Sequence, residues 1–177
     1  MRELKDVLKE YREFTRTTAI YPGEKGLLYC TLGLQNEVGE LIDKMMNHNE
    51  SLQQEFSGEA GDILWYITRL ADELGINIED IVPDIFDTKI GKSQFVMLVF
   101  RLEENIGDLY GLLKKSVRGD KELDKKTIEE RMCAIIFTFQ VILSMFDLTL
   151  RDIVKQNMEK LSSRKERGKI KGDGDHR

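Results

Sequence analysis

Two pairs of acidic residues carry the most recognisable chemistry of this sequence. The segments Glu37–Glu40 and Glu59–Asp62 each place two acids three residues apart, which on a helix puts both carboxylates on one face. Apolar residues flank both segments at helical spacing, so the acids lie on or beside an apolar stripe. Four carboxylates at a seam between helices would repel one another and would be costly to desolvate. A bound divalent cation is the simplest way to offset that cost.

Each acidic segment also contains a glycine, Gly39 in the first and Gly61 in the second. A glycine inside a helix costs about 1 kcal/mol relative to alanine, so we expect a neighbouring helix or a ligand to approach closely at both positions. The alternative is that both segments are solvated helix surface, as acidic pairs at this spacing usually are. The spacing by itself leaves both readings open.

Composition bounds the class of protein. The chain has 177 residues, which is enough for one domain with a sizeable core. It is 41% hydrophobic and 33% charged and has two prolines, a mix that suits a soluble helical protein. The net charge of −5 argues against nucleic acid as a partner, and no apolar run approaches the roughly 20 residues of a membrane helix. Cys30 and Cys133 make no disulfide framework and suit a reducing cytoplasm.

Apolar periodicity predicts an all-α fold, because helical spacing recurs along the chain and an alternation of period two does not. The predicted helices cover residues 1–17, 27–46, 52–74, 78–82, 95–117, 125–145 and 150–166. Gly75 is expected to end the third helix as its C-cap glycine. The two acidic segments therefore fall on two successive long helices.

The second half of the chain resembles the first. Residues 75–82 align with 147–154, and residues 36–41 align with 104–109. The second copy keeps the helical pattern but has lost most of the acids. At the positions of the four acids it carries Asn105, Asp108, Arg131 and Ala134. The pattern favours an internal duplication, and the alternative is that two helical hairpins look alike by chance.

We therefore predict a single all-α domain over residues 1–177, a helical bundle built from two hairpin repeats that cannot each bury a core alone. Residues 1–83 form the repeat that carries the acids, and residues 91–166 form the degenerate repeat. Residues 167–177 form a glycine-rich basic tail.

The acidic segments and their surroundings resemble the MazG-like, all-α nucleoside triphosphate pyrophosphohydrolases. The acids match the family's ExxE and ExxD motifs, and residues 18–22, 32–34 and 63–66 around them also fit. The resemblance is good over residues 11–82 and 157–177, while the middle of the chain fits as a degenerate repeat. It implies an enzyme that cleaves a nucleoside or deoxynucleoside triphosphate between the α- and β-phosphates with Mg²⁺, or with Mn²⁺ as a substitute. The products would be the monophosphate and pyrophosphate.

The resemblance also assigns roles to individual residues. It implies that the metal is held by Glu37, Glu40, Glu59 and Asp62. Glu40 or Glu37 would also orient the attacking water. These residue types agree with the chemistry, because Mg²⁺ prefers hard oxygen ligands.

Basic residues are then expected to meet the phosphates. A stripe on the last helix, spaced by three and four residues, comprises Asn157, Lys160, Arg164 and Arg167. We expect one composite site, with the metal on the first hairpin and the phosphates gripped by this stripe. The alternative is a solvated basic helix end favoured by the macrodipole. Lys44 is a further substrate-binding candidate, or else simply the i,i+4 ion-pair partner of Glu40.

Aromatic side chains supply candidates for contact with the base. Tyr21, in a loop before the first acidic segment, and Tyr66, one turn after Asp62, are expected to stack on it. Trp65 is expected in the core, because aromatic residues at helical spacing are more often core residues than ligand contacts.

Two other functions remain open from the sequence, and a third is disfavoured by it. A non-catalytic nucleotide-sensing or helical interaction module could retain the same fold. A di-iron carboxylate bundle would need a histidine three residues after a glutamate, which neither His48 nor His176 provides. The substrate could also be a phosphoribosyl-linked nucleotide. Expected partners are the nucleotide and, as a homodimer, a second copy of the chain, and neither nucleic acid nor a membrane is expected.

Overall fold

The structure, a computed structural model, describes residues 3–47, 52–84 and 94–170. Within these ranges it contains no β-strand, which confirms the all-α prediction. The helices are α1 (Leu4–Thr18), α2 (Gly26–Asn47), α3 (Leu52–Glu73), α4 (Ile78–Ile81), α5 (Phe95–Val117), α6 (Lys125–Ser144) and α7 (Leu150–Glu166). A short 3₁₀ turn, Gly23–Lys25, leads into α2. No helix of the described residues has the length and apolarity needed to cross a membrane.

The chain forms two compact units. Unit 1 comprises Met1–Glu79 and Arg151–Arg177, and unit 2 comprises Asp80–Leu150. The α2–α3 hairpin dominates unit 1, and the α5–α6 hairpin dominates unit 2. The last helix, α7, therefore belongs to the unit that carries the acidic segments. The interpretation of the whole chain as one domain stays a prediction, and residues 171–177 of the predicted tail lie outside the described residues.

The seam between α2 and α3 forms the core of unit 1. Leu34, Val38 and Leu41 of α2 are at most 1% exposed, and so is the matching apolar face of α3, with Ala60, Ile63, Leu64 and Ile67. Burial of such apolar surface is the main stabilising term of a helical hairpin. The apolar stripe beside the first acidic segment is therefore confirmed as buried.

Charged side chains connect α1 to α3 and α4. Arg12 donates two hydrogen bonds to the carboxylate of Glu79, at 3.0 and 2.6 Å, and both residues are buried. Arg16 and Arg69 both donate to Asp72, which joins α1 to α3. Paired, well-oriented guanidinium forks of this kind hold helices in a defined register.

Unit 2 contains the predicted equivalents of the acids. Asn105 of α5 donates to the Thr138 hydroxyl of α6 at 3.1 Å. Arg131 of α6 forms an ion pair with Asp108 of α5 at 3.0 Å. Asp124 caps α6 by accepting a hydrogen bond from the Thr127 amide at 2.8 Å. A hydrogen bond and an ion pair thus join α5 to α6 at the positions predicted to be equivalent to the acids.

The end of α3 follows the expectation for Gly75. This residue has a φ of 71°, in the left-handed region that favours glycine. The Ile76 amide then donates to the Ala71 carbonyl oxygen at 2.9 Å, closing the helix end. The turn directs the chain into α4.

The two glycines of the acidic segments have different surroundings. A Cβ added at Gly61 would lie 2.8 Å from Nδ2 of Asn157 on α7, so the close approach predicted there is present. A Cβ added at Gly39 would meet no described atom within 4 Å. The expectation that a neighbouring helix packs against Gly39 is therefore wrong for the described residues, because that position is exposed on α2, and approach of a ligand there stays a prediction.

These surroundings predict opposite effects of alanine at the two positions. Gly39→Ala is expected to stabilise the protein by up to about 1 kcal/mol, because alanine favours the helix and meets nothing. Gly61→Ala is expected to lose about 1 kcal/mol or more, because its Cβ displaces the buried Asn157 side chain. Urea unfolding of the two variants measures both changes, and a Gly61→Ala variant as stable as Gly39→Ala would contradict the close contact.

Candidate functional site

Three of the four predicted acids converge between α2 and α3. Glu37, Glu40 and Glu59 each offer a carboxylate oxygen, and these oxygens lie within 4.8 Å of one another. Glu59 is 1% exposed, Glu37 is half-buried and Glu40 is exposed. The cluster therefore opens from a buried floor at Glu59 to solvent at Glu40. Hard oxygen donors at this spacing suit a divalent cation such as Mg²⁺.

The fourth acid, Asp62, faces α7. Its carboxylate accepts a hydrogen bond from the Lys160 amine at 2.5 Å and a longer one from Asn157 Nδ2 at 3.4 Å. It is not part of the group of three converging acids in the described chain. It still acts on that group electrostatically, since its charge raises the pKa of Glu37.

Crowding of negative charge is visible in the pKa of Glu37. This pKa is raised from 4.5 to about 8, chiefly by burial and then by the charges of Asp62, Glu40 and Glu59 in that order of importance. The Lys160 amine acts in the opposite direction. Glu37 consequently holds a proton near neutral pH unless a cation is added to the cluster.

Asn157 holds Asp62 in place. Its side chain is 1% exposed, accepts a hydrogen bond from the Tyr11 hydroxyl at 2.7 Å through Oδ1, and points Nδ2 toward Asp62. Burial and the neighbouring Asp62 charge both raise the pKa of Tyr11, so its hydroxyl stays a donor. Both polar atoms of the Asn157 side chain thus face protein groups, and its expected contact with substrate stays a prediction.

An open pocket adjoins Glu37 and Asp62 in unit 1. Its polar lining includes Glu37, Asp62 and Arg164, whose side chain is 3% exposed. The remaining lining is mostly aromatic and aliphatic, from Thr18, Ile20, Tyr29, Trp65, Tyr66, Leu161 and Ile170. The pocket thus places carboxylates, a guanidinium and aromatic rings around one space.

The aromatic wall differs in part from the prediction. Tyr66 lines the pocket as expected, and Trp65 lines it as well while donating its indole N–H to Thr18 at 2.9 Å. Tyr29, which the sequence reasoning missed, also lines it, with its ring centroid 5.9 Å from that of Tyr66. A signal was available, because Tyr29, Gly33 and Glu37 follow at successive turns of α2 and form one line.

Tyr21 is not among the residues that line this pocket. Its hydroxyl accepts from Arg69 Nε at 2.9 Å and donates to Glu73 at 2.8 Å. Its ring centroid lies 4.8 Å from that of Tyr29. Tyr21 therefore packs against Tyr29 outside the pocket lining. Tyr29 lines the pocket, where Tyr21 was expected.

The remaining basic residues are placed differently from one another. Lys44 forms an ion pair with the buried Glu59 across the α2–α3 seam. Arg167 is exposed after the end of α7 and donates to the Ser163 carbonyl oxygen at 3.3 Å. It does not line the pocket, whereas Arg164 does. Of the basic residues predicted to bind substrate, Lys44, Lys160 and Arg164 thus lie at the acids or the pocket.

Comparisons with known proteins agree with this geometry. Residues 27–95, which include all four acids, match the family model described as the MazG nucleotide pyrophosphohydrolase domain. A protein of Mycobacterium phage L5 named gene 37 protein is 31% identical to this chain over 80 residues. The match covers 37% of this chain and 70% of the phage protein. No solved structure matches the chain significantly.

The raised pKa of Glu37 predicts a pH dependence of stability in the metal-free protein. Between the unfolded pKa of about 4.3 and the folded pKa of about 8, the folded state binds more protons than the unfolded state. The free energy of unfolding therefore falls as the pH rises through this window. After allowance for partial exposure, we expect a slope of at most about 1 kcal/mol per pH unit from this residue.

Glu37→Gln tests this origin of the slope. Urea unfolding with EDTA between pH 5 and 8 is expected to show the variant gaining stability relative to the unsubstituted protein as the pH rises. Glu130→Gln, at an exposed position of α6, is the matched control and should follow the unsubstituted protein. Parallel profiles for all three proteins would show that Glu37 does not hold the proton.

Proposed function

Because the chain belongs to the MazG family of nucleotide pyrophosphohydrolase domains, we propose that it hydrolyses nucleoside triphosphates to the monophosphate and pyrophosphate with Mg²⁺. The observation that supports this proposal is that Glu37, Asp62, Arg164 and aromatic rings all line one pocket. A metal-bound nucleoside triphosphate needs carboxylates for the metal, a cation for the phosphates and apolar surface for the base.

The acids supply the metal ligands in this proposal. Glu37, Glu40 and Glu59 already offer three oxygens within 4.8 Å of one another, and Asp62 lies beside them. The same oxygens also suit Mn²⁺ as a substitute. When bound, Mg²⁺ would offset phosphate charge, polarise the phosphorus and lower the pKa of a coordinated water.

Side chains of α7 bind the phosphates in this proposal. Arg164 lines the pocket, and Lys160 stands one turn earlier on the same helix, beside Asp62. A guanidinium can bind two phosphate oxygens at once, while the lysine acts as a point charge. The triphosphate would therefore lie with its reacting bond at the acids and its outer phosphates along α7.

The attacking water is assigned to Glu40 and Glu37. Glu40 is the exposed acid of the cluster, so solvent reaches it directly, and its carboxylate is oriented by the Asn36 amide at 2.7 Å. Glu37 lies deeper, with a carboxylate oxygen within 4.8 Å of that of Glu40. We assign the orientation of the water to Glu40, with Glu37 as the alternative.

The aromatic wall receives the base. Tyr29 and Tyr66 present two rings to the pocket, and Trp65 packs edge-on against Tyr66 with 4.9 Å between centroids. Stacking on such rings is tolerant of base identity, because every base has a π-face. The wall therefore supports a nucleotide substrate without selecting one base.

Pyrophosphate release from each of the ribo- and deoxyribonucleoside triphosphates with Mg²⁺ tests the proposal. Glu40→Gln and Glu59→Gln are each expected to lower kcat at least about a hundredfold, because each removes a charged metal ligand. Asp108→Asn, at the equivalent position of Glu40 in unit 2, is the matched control and should retain full activity. A chain that binds nucleotides without releasing pyrophosphate would instead support the nucleotide-sensing alternative.

The base contact has its own prediction. Tyr29→Ala is expected to raise KM about tenfold for the preferred triphosphate, because stacking contributes about 1–3 kcal/mol per base. Tyr21→Phe keeps the ring behind Tyr29 and should leave KM nearly unchanged. Steady-state kinetics of both variants provide the measurement, and the reverse pattern would return the base contact to Tyr21.

A further inference from the structure

Two lysines lie against the acidic cluster, and each is paired with one carboxylate. Lys44 of α2 pairs with Glu59, and Lys160 of α7 pairs with Asp62 at 2.5 Å. The lysine side chains are only 24% and 23% exposed, so solvent screens these pairs less than pairs on an open surface. Together they offset half of the formal charge of the four acids.

A lysine that neutralises a carboxylate competes with a metal for the same oxygens. Asp62 illustrates this, because its carboxylate faces Lys160 and Asn157 and is absent from the group of converging acids among the described residues. Glu59 belongs to that group and is simultaneously paired with Lys44. A divalent cation that takes both carboxylates must therefore displace or share with two ammonium groups.

The displaced ammonium groups would not be left without a counterion if a triphosphate arrives with the metal. Lys160 stands one helical turn from Arg164, which lines the pocket proposed to hold the phosphates. A phosphate chain along α7 offers Lys160 new oxygens, so exchange costs little when metal and triphosphate bind together. It costs more when the metal binds alone, since the lysine then gives up its carboxylate and gains no phosphate oxygen in exchange.

We propose that Lys160 is an exchangeable counter-cation, which neutralises Asp62 when no metal is bound and passes to the phosphates when metal and triphosphate bind, and that Lys44 is the corresponding counter-cation that the metal displaces from Glu59. This inference rests on the proposed function and adds to it a coupling between the two ligands. Free metal is held weakly, and the metal–triphosphate complex is held tightly. The reciprocal coupling follows from linkage, because each ligand favours the same arrangement of the lysines.

Binding of Mn²⁺ alone to the metal-free full-length chain tests the exchange, with free Mn²⁺ measured by electron paramagnetic resonance. Lys160→Ala is expected to tighten Mn²⁺ binding about tenfold, within the usual range of coupling between sites. Lys160→Arg keeps the charge and should bind like the unsubstituted protein. Lys155→Ala, on the exposed face of α7, removes the same charge at a distance and should change affinity less than twofold.

A double-mutant cycle separates exchange at Asp62 from a general change in charge. If Lys160 competes through this carboxylate, the gain from Lys160→Ala should disappear in an Asp62→Asn background. Lys44→Gln provides a second route, through Glu59, should Lys160→Ala fail to fold. It too is expected to tighten Mn²⁺ binding.

The outcomes distinguish this inference from the proposed function. Weaker or unchanged Mn²⁺ binding in folded Lys160→Ala or Lys44→Gln would show that the lysine has only a structural role. That result would overturn the proposed exchange and leave the proposed function standing. A gain equal to that of Lys155→Ala would overturn it in the same way. If neither the unsubstituted chain nor any lysine variant binds Mn²⁺, the proposed metal site falls, and the exchange falls with it.

Discussion

Carboxylates that share a partly buried space need a cation or a proton nearby, and this requirement governs the organisation of unit 1. Glu59 sits on the buried floor of the cluster, where an uncompensated charge would be most costly, and Lys44 is paired with it. Lys160 serves Asp62, and Glu37 has a pKa raised to about 8 by burial and by its acidic neighbours. A proton on Glu37 and the amines of Lys44 and Lys160 therefore offset the charge of the acids, and the proposed metal would offset the same charge.

Unit 2 shows what the same hairpin does when the acids are replaced. In the predicted alignment of the two halves, Arg131 stands at the position of Glu59 and Asp108 at that of Glu40, and the two form an ion pair at 3.0 Å. Asn105, at the position of Glu37, donates to Thr138 and needs no counterion. A guanidinium thus stands where unit 1 gathers carboxylates, so the equivalent positions of unit 2 carry opposite charges instead of like ones.

The sequence predicts the helices well because apolar periodicity and helix-ending glycines are local signals. Each predicted long helix lies within three residues of the observed bounds at both ends, and Gly75 ends α3 as expected. The acids are equally accessible to sequence reasoning, since their spacing on one helix face is a local property. The buried role of Asn157 is not, because it depends on contacts with Tyr11 and Asp62 that lie far away along the chain. The position of Tyr29 on one line with Glu37 is a local signal, but its contact with Tyr66 depends on how α3 packs against α2.

The position of α7 explains why the candidate site combines residues from the first and the last parts of the chain. Unit 1 is discontinuous, so the helix that carries Asn157 and Lys160 returns to the acids only after the chain has completed unit 2. Its approach is permitted by Gly61, where any larger residue would meet Asn157, and it is held by the hydrogen bond from Tyr11. The glycine of the second acidic segment therefore serves the chemistry indirectly, because it lets α7 bring Lys160 within hydrogen-bond distance of Asp62.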